Sequence, residues 1–200
     1  MINISVMVSG GGTNLQALID GVADGRIEDA CIALVLSSRP GVYALERAEK
    51  AGIKTTVIST QEYPDEDKKA EAILAALAEA KTDLVITAGY MSIIPESVCA
   101  AYKNRMINIH PALLPKHGGV GYYGLRVHEA VLKAGDKETG ATVHYVDEGV
   151  DSGEIILQTR TPVLENDTPE TLQKRVLEEV EHPLLIKATN QVIQKLAKSC

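Results

Sequence analysis

Met106-Ile107-Asn108-Ile109-His110-Pro111 is the stretch on which the reading of the fold turns. As a strand it alternates: Ile107 and Ile109 turn to one face, Met106, Asn108 and His110 to the other. Proline then stops the ladder, because it has no N–H to give. An amide and an imidazole therefore arrive together at the carboxyl end of a buried strand, where open parallel sheets place their ligands. Such a pair can polarise a carbonyl and move a proton. A histidine at a strand end is equally often a satisfied packing residue, so the rest of the chain has to decide.

Upstream the rhythm is strand, glycine turn, helix. Ile2–Val8 is a short apolar run, followed by Ser9-Gly10-Gly11-Gly12-Thr13-Asn14 and then Leu15-Gln16-Ala17-Leu18-Ile19 at helical spacing, with Gly21 and Gly25 expected to end that helix. Strands are expected at Ile32–Leu36, Thr55–Ile58 and Asp83–Thr87. Helices are expected at Val42–Ala51, at Asp65–Lys81 and from Pro95 to Tyr102. This alternation with short links predicts an α/β fold: three layers around a mostly parallel, Rossmann-like sheet.

After Pro111 the pattern changes. A glycine-rich loop spans 118–124 and a helix Val127–Ala134. Thr142–Val146 and Ile155–Pro162 then read as an antiparallel C-terminal extension joined by an acidic turn. Thr168 caps a long last helix with Pro169 in its first turn, and Pro183 is expected to kink or interrupt it. The whole chain, 1–200, reads as a single domain.

The bulk numbers narrow the function. With 45% hydrophobic and 24% charged residues the chain has an ordinary globular composition, and 200 residues suffice for a sizeable core. A net charge of −7 argues against a nucleic-acid partner, which needs a basic face. Cys31, Cys99 and Cys200 are odd in number and far apart, which fits a reducing compartment rather than a disulfide framework. No apolar run is long enough to span a membrane and no basic leader precedes the first strand, so a cytoplasmic protein is expected.

The loop at 9–14 fits an anion. Glycines let backbone N–H groups approach a phosphate at a helix N-terminus. It lacks the lysine of a nucleoside triphosphatase loop, and Leu15 fills the third glycine position of the dinucleotide fingerprint. A monophosphate held by Gly11, Gly12, Thr13 and Asn14 is favoured over a plain tight turn. The acidic turn Asp147-Glu148-Gly149-Val150-Asp151-Ser152-Gly153 offers a carboxylate that can fold back on His110. Asp151 is the choice, and beside the imidazole it is expected to keep it protonated. His144 is expected to pack or to support the site at one remove; His117, His128 and His182 read as surface residues. No metal-ligand spacing is present, so no catalytic metal is expected.

Taken together, Ser-Gly-Gly-Gly-Thr-Asn-Leu-Gln at 9–16, Ala-Gly-Tyr-Met at 88–91, Asn-Ile-His-Pro-Ala-Leu-Leu-Pro at 108–115, Thr-Gly-Ala-Thr-Val-His at 139–144, Asp-Glu-Gly-Val-Asp-Ser-Gly at 147–153 and Val-Glu-His at 180–182 resemble the phosphoribosylglycinamide formyltransferase family. That resemblance implies transfer of the formyl group of 10-formyltetrahydrofolate, as co-substrate, to the amine of glycinamide ribonucleotide, in a monomer or homodimer. It implies catalytic roles for Asn108, His110 and Asp151, a phosphate cradle at Gly11–Asn14 and a contact from Glu181 to the substrate amine. Met91, Ser92, Ile93 and Ile94, with Asn108 and Glu148, would line the folate site. Two positions depart from the family pattern: Ser92 and Glu66 stand where arginines are often found, with Lys68 and Lys69 in the same helical turn as Glu66. The competing readings are a deformylase of the same fold, a formyltransferase acting on tRNA, and a non-catalytic phosphometabolite-binding module.

Overall fold

A computed structural model describes residues 1–198; Cys200 lies outside the described residues. The chain runs β1 (Ile2–Val8), α1 (Thr13–Ala23), β2 (Ala30–Ser37), α2 (Tyr43–Lys50), β3 (Thr55–Val57), α3 (Glu66–Glu79), β4 (Leu84–Thr87), α4 (Glu96–Ala101) and β5 (Met106–His110). It continues with α5 (Leu125–Ala134), β6 (Glu138–Tyr145), β7 (Ile155–Pro162), α6 (Pro169–Arg175), a π-helical turn (Val176–Glu181) and α7 (His182–Ala197). One seven-stranded sheet holds the order β3-β2-β1-β4-β5-β6-β7. The pairs among β1 to β5 are parallel, while β5–β6 and β6–β7 are antiparallel.

The period-2 pattern of the strands sorts the core into two layers. Ile4, Val6 and Val8 of β1, with Ile107 and Ile109 of β5, pack with Leu15, Leu18, Val131, Leu172, Leu185 and Val192. On the opposite face Met7 and Met106 meet Leu34, Leu36, Ile73 and Leu77. Asn108 and His110 share the parity of Met106, as the alternation requires. The core has no Phe or Trp and is filled mainly by aliphatic side chains, Met and Ala, with Tyr102 and Tyr145 at its margins.

Three expectations need correction. Gly21 does not end α1 but lies buried inside it, where a Cβ would meet Ile27 and Ile186 at 3.2–3.4 Å; close packing selects the glycine. Strand β6 begins at Glu138, four residues earlier than expected, because Thr139 and Gly140 pair with Thr161 and Arg160 of β7. The last helix is interrupted ahead of Pro183, by the π-helical turn. Pro183 sits in the first turn of α7, where its missing N–H is tolerated.

This topology determines where a ligand can go. The strand order reverses at β1, with β2 and β3 on one side and β4 and β5 on the other, so loops leaving β1 and β4 diverge and open a crevice. The loop at 9–12, the segment 88–95 and the end of β5 all meet there.

Candidate active site

The loop after β1 is shaped by its glycines. Gly12 has φ +70°, and a Cβ there would sit 2.7 Å from Ala44 Cβ, so only glycine fits without displacing α2. Gly12 also occupies the cap position of α1 with no side chain across the helix end, leaving the first-turn N–H groups for another acceptor. Arg47 Nε donates to the Gly11 carbonyl at 2.9 Å and holds the loop from outside. Nothing in the sequence pattern had singled out Arg47. Asn14, nearly buried, donates from Nδ2 to Glu181 Oε2 at 2.7 Å, while its own Oδ1 has no hydrogen-bond partner. Glu181 is 6% exposed; burial pushes its carboxyl up to about 7, the Asn14 hydrogen bond offsetting only part of the rise.

The segment after β4 is fixed from two sides. Met91 N–H donates to Ser9 Oγ at 2.8 Å, tying it to the loop after β1. Lys69, 6% exposed, points its ammonium at Ser92 Oγ (2.6 Å), Thr60 Oγ1 (3.2 Å) and the Ile93 carbonyl (3.3 Å). Burial lowers its pKa and the charge of Glu66 partly restores it. Of the two lysines in that turn, Lys69 reaches the segment, and it takes up the hydroxyl that stands where the family pattern often has arginine. The Met91 and Ile93 side chains remain exposed, whereas Ile94 packs on the core. Glu148 is exposed on the acidic turn.

At the end of β5 the three expected residues are brought together. His110 Nδ1 lies 3.3 Å from Asp151 Oδ2, and Asn108 Nδ2 lies 3.4 Å from Asp151 Oδ1. Asp151 also accepts the Gly119 N–H at 3.0 Å. Its φ of +55° is a left-handed conformation that aspartate tolerates better than most residues. Two residues on, Gly153 allows the turn to return, since a Cβ there would fall 1.8 Å from the Tyr145 carbonyl. Burial works against the charge of Asp151, yet the neighbouring His144 and His110 imidazoles and the Gly119 N–H outweigh it and hold the carboxyl below its ordinary range.

His110 departs from expectation. The Asp151 charge does raise its pKa, but burial is the larger effect, and the imidazole ends below the ordinary histidine range. Its Nε2–H donates to the His117 carbonyl at 2.8 Å, so a neutral His110 still presents one N–H. Of the other histidines, His144 packs and supports the site, as expected, whereas His128 and His117 were read as surface residues and are not. His144, buried, sets Nε2 3.1 Å from Asn108 Nδ2 and 3.5 Å from Asp151 Oδ1, in direct contact with the site. His128 is not a surface residue: it is 1% exposed, neither ring nitrogen has a hydrogen-bond partner, and burial, with the nearby His110, pushes it down to about 4. His117 is likewise mostly buried, with Nε2 2.8 Å from Asp136 Oδ2.

Residues 2–189 match the formyl transferase family. The chain belongs to that family. It is 38% identical over 189 residues to the phosphoribosylglycinamide formyltransferase of Haemophilus influenzae, covering 94% of this chain and 86% of that one. It is 44% identical over 174 residues to the trifunctional purine biosynthetic protein adenosine-3 of Drosophila pseudoobscura pseudoobscura, covering 86% of this chain but spanning only 12% of that longer protein. Among solved structures, glycinamide ribonucleotide transformylase 1 of Symbiobacterium toebii superposes with a TM-score of 0.88 at 43% identity, over 95% of this chain and 86% of that one. A shared backbone at this likeness places the ends of β1, β4 and β5 in the family's arrangement. Among the described residues no group of three or more His, Cys, Asp and Glu side chains is arranged to hold a metal ion, and no helix is long and apolar enough to cross a membrane.

Proposed function

We propose that residues 1–200 form one formyltransferase domain that passes the formyl group of 10-formyltetrahydrofolate to the amine of glycinamide ribonucleotide. The observation that carries this reading is the convergence, at one crevice, of a glycine cradle with no base-reading motif, a buried carboxyl next to it, and an amide–imidazole–carboxylate cluster at the end of β5. A monophosphate at Gly11–Asn14 puts the rest of a short substrate within reach of Glu181. The folate would lie along Met91–Ile94 with its formyl group toward Asn108 and His110.

In the reaction the amine nitrogen attacks the formyl carbon, the new C–N bond forms, and an oxyanion develops. The bond from carbon to the folate nitrogen then breaks, and the proton lost by the amine passes to that nitrogen. Asn108 Nδ2–H and His110 Nε2–H are the donors for the oxyanion, useful because they are fixed before the charge appears. Both have partners in the unliganded protein, a long 3.4 Å contact to Asp151 and the His117 carbonyl, so substrate has to displace them. Asp151 faces His110 Nδ1 at 3.3 Å and bonds to it once that nitrogen is protonated, which stabilises the imidazolium if His110 carries the transferred proton. The resident lysine at Ser92 supplies cationic character to the folate segment.

The test is to mix the protein with 10-formyltetrahydrofolate and follow folate product by absorbance, with and without glycinamide ribonucleotide. Turnover only in the presence of the ribonucleotide is expected. Product formed without it would make the protein a deformylase, and no turnover with either would leave it a binding module.

A further inference from the structure

Thr87, Asn108 and His144 stand in one row across three neighbouring strands. Thr87 of β4 pairs in register with Asn108 of β5, and Asn108 with His144 of β6. Their side chains share one face and are linked: Thr87 Oγ1 lies 2.7 Å from Asn108 Oδ1, and Asn108 Nδ2 lies 3.1 Å from His144 Nε2. At the far end His144 Nδ1 lies 2.8 Å from the Tyr145 carbonyl. Thr87 and His144 are 3% and 2% exposed, so water does not compete for these bonds.

The direction of this row is dictated by its last member. A backbone carbonyl only accepts, so His144 Nδ1 carries the hydrogen. A neutral imidazole then has a bare Nε2, which needs a donor, and the Asn108 NH2 is what faces it. That orientation turns Asn108 Oδ1 toward Thr87, whose hydroxyl donates. Reversing the Asn108 amide would set its oxygen against two acceptors, the bare His144 Nε2 and the Asp151 carboxylate; the Thr87 hydroxyl, which also lies 3.3 Å from the Ile107 carbonyl, supplies the hydrogen that rewards the observed orientation.

We propose that His144 and Thr87 are positioning residues that fix which end of the Asn108 amide faces the reacting carbonyl, with the Tyr145 carbonyl setting the polarity of the row. The proposal rests on the formyltransferase reading for its catalytic meaning, though the hydrogen-bond row itself does not. An amide free to turn over presents its oxygen to the developing oxyanion for part of the time, and that oxygen repels it. The loss falls mainly on the chemical step, since the charge that needs the Asn108 N–H develops only there, while the phosphate and the body of the folate are held at the cradle and the 91–94 segment. Thr87 is the sharper probe of the two, as His144 also adjoins Asp151 whereas Thr87 contacts the catalytic cluster only through Asn108.

Two measurements on the intact protein test this. In wild type, nitrogen-15 NMR of the histidine side chains near neutral pH should show His144 with Nδ1 protonated and Nε2 bare; a protonated Nε2 overturns the proposal whether or not the protein proves to be a formyltransferase. In steady-state kinetics Thr87→Val, which keeps the β-branched shape, should lower kcat about fivefold to tenfold, the worth of one buried hydrogen bond. KM for both substrates should stay within about twofold, and Thr87→Ser should recover most of the loss. Equal kcat in Thr87→Val and wild type overturns the proposal, and so does a loss that Thr87→Ser fails to recover. A wild type without turnover fails the formyltransferase reading instead, and the NMR result still decides the row.

Discussion

Asn14 and Glu181, 167 residues apart, are joined by a 2.7 Å hydrogen bond beneath the glycine loop. The bond welds the first βα turn to the end of the π-helical turn, so the cradle and the buried carboxyl move as one body. Glu181 keeps its proton to near neutrality there, because burial strips its carboxyl of water and the Asn14 amide is a weak substitute for that water around a charged carboxylate.

Glu181 and His128 make opposite contributions to stability against pH. The Glu181 pKa rises from 4.5 to about 7 on folding, so its contribution is full below pH 4.5 and is lost as pH climbs through 7. The His128 pKa falls from 6.5 to about 4, so its contribution is full above pH 6.5 and is lost as pH drops toward 4. Each amounts to about 3 kcal/mol at most by linkage, and between pH 4.5 and 6.5 the two slopes cancel. In melting-temperature profiles Glu181→Gln should expose a rise in stability from pH 4.5 to 6.5, and His128→Leu a fall over the same interval. Parallel profiles for the two variants would contradict the assignment.

On the proposed mechanism Asn108→Ala and His110→Ala each remove one oxyanion donor. Loss of such a donor typically lowers kcat by about 10² to 10³. That range is expected for both variants in steady-state assays, with KM for the ribonucleotide little changed because its phosphate is held elsewhere. Near-full turnover in either would remove the residue from the mechanism.

On the proposed reading Lys69 serves binding rather than chemistry. Its ammonium gathers Ser92, Thr60 and the Ile93 carbonyl, and Lys69→Met leaves those three oxygens without their shared donor. The Ser92–Ile93 backbone should loosen, and KM for the folate should rise about tenfold, in line with one or two charged hydrogen bonds lost. The kcat at saturating folate should hold within about twofold. An unchanged KM for the folate would show that the segment is held by Ile94 packing and the Ser9 contact alone.

The sequence was most informative where the signal is local. Strand alternation placed Asn108 and His110 on one face, and the Thr168 cap with Pro169 located the start of α6. Asp151 could be chosen because a turn between two adjacent strands has few places to go. His144 could be read as packed or supporting the site, but its partner Asn108 could not be named, because that contact depends on the β5–β6 register, which two separate apolar runs do not specify. His128 was misread for a related reason: a histidine on an amphipathic helix looks exposed until the end of β5 is seen to lie over it. The sequence could name Lys68 or Lys69 as the cation of that turn but not choose between them, since a lysine in a charged helical stretch is normally solvated, and only the fold shows the ring of oxygens that draws Lys69 inward.

The π-helical turn also records something about how this chain can change. Residues in an α-helix are rotated by about 100° each, and the wider turn at Val176–Glu181 absorbs a residue that an α-helix would carry around the axis. Removing one residue from Val176–Val180 would let the turn relax to α geometry and rotate α7, with Glu181 at its head, by about 100° against α6, so that the packing of α6 and the Glu181–Asn14 bond could not both be kept. The carboxyl at the cradle is therefore secured by chain length as much as by residue type, and a single-codon deletion there would set it against the packing of α6 without any substitution.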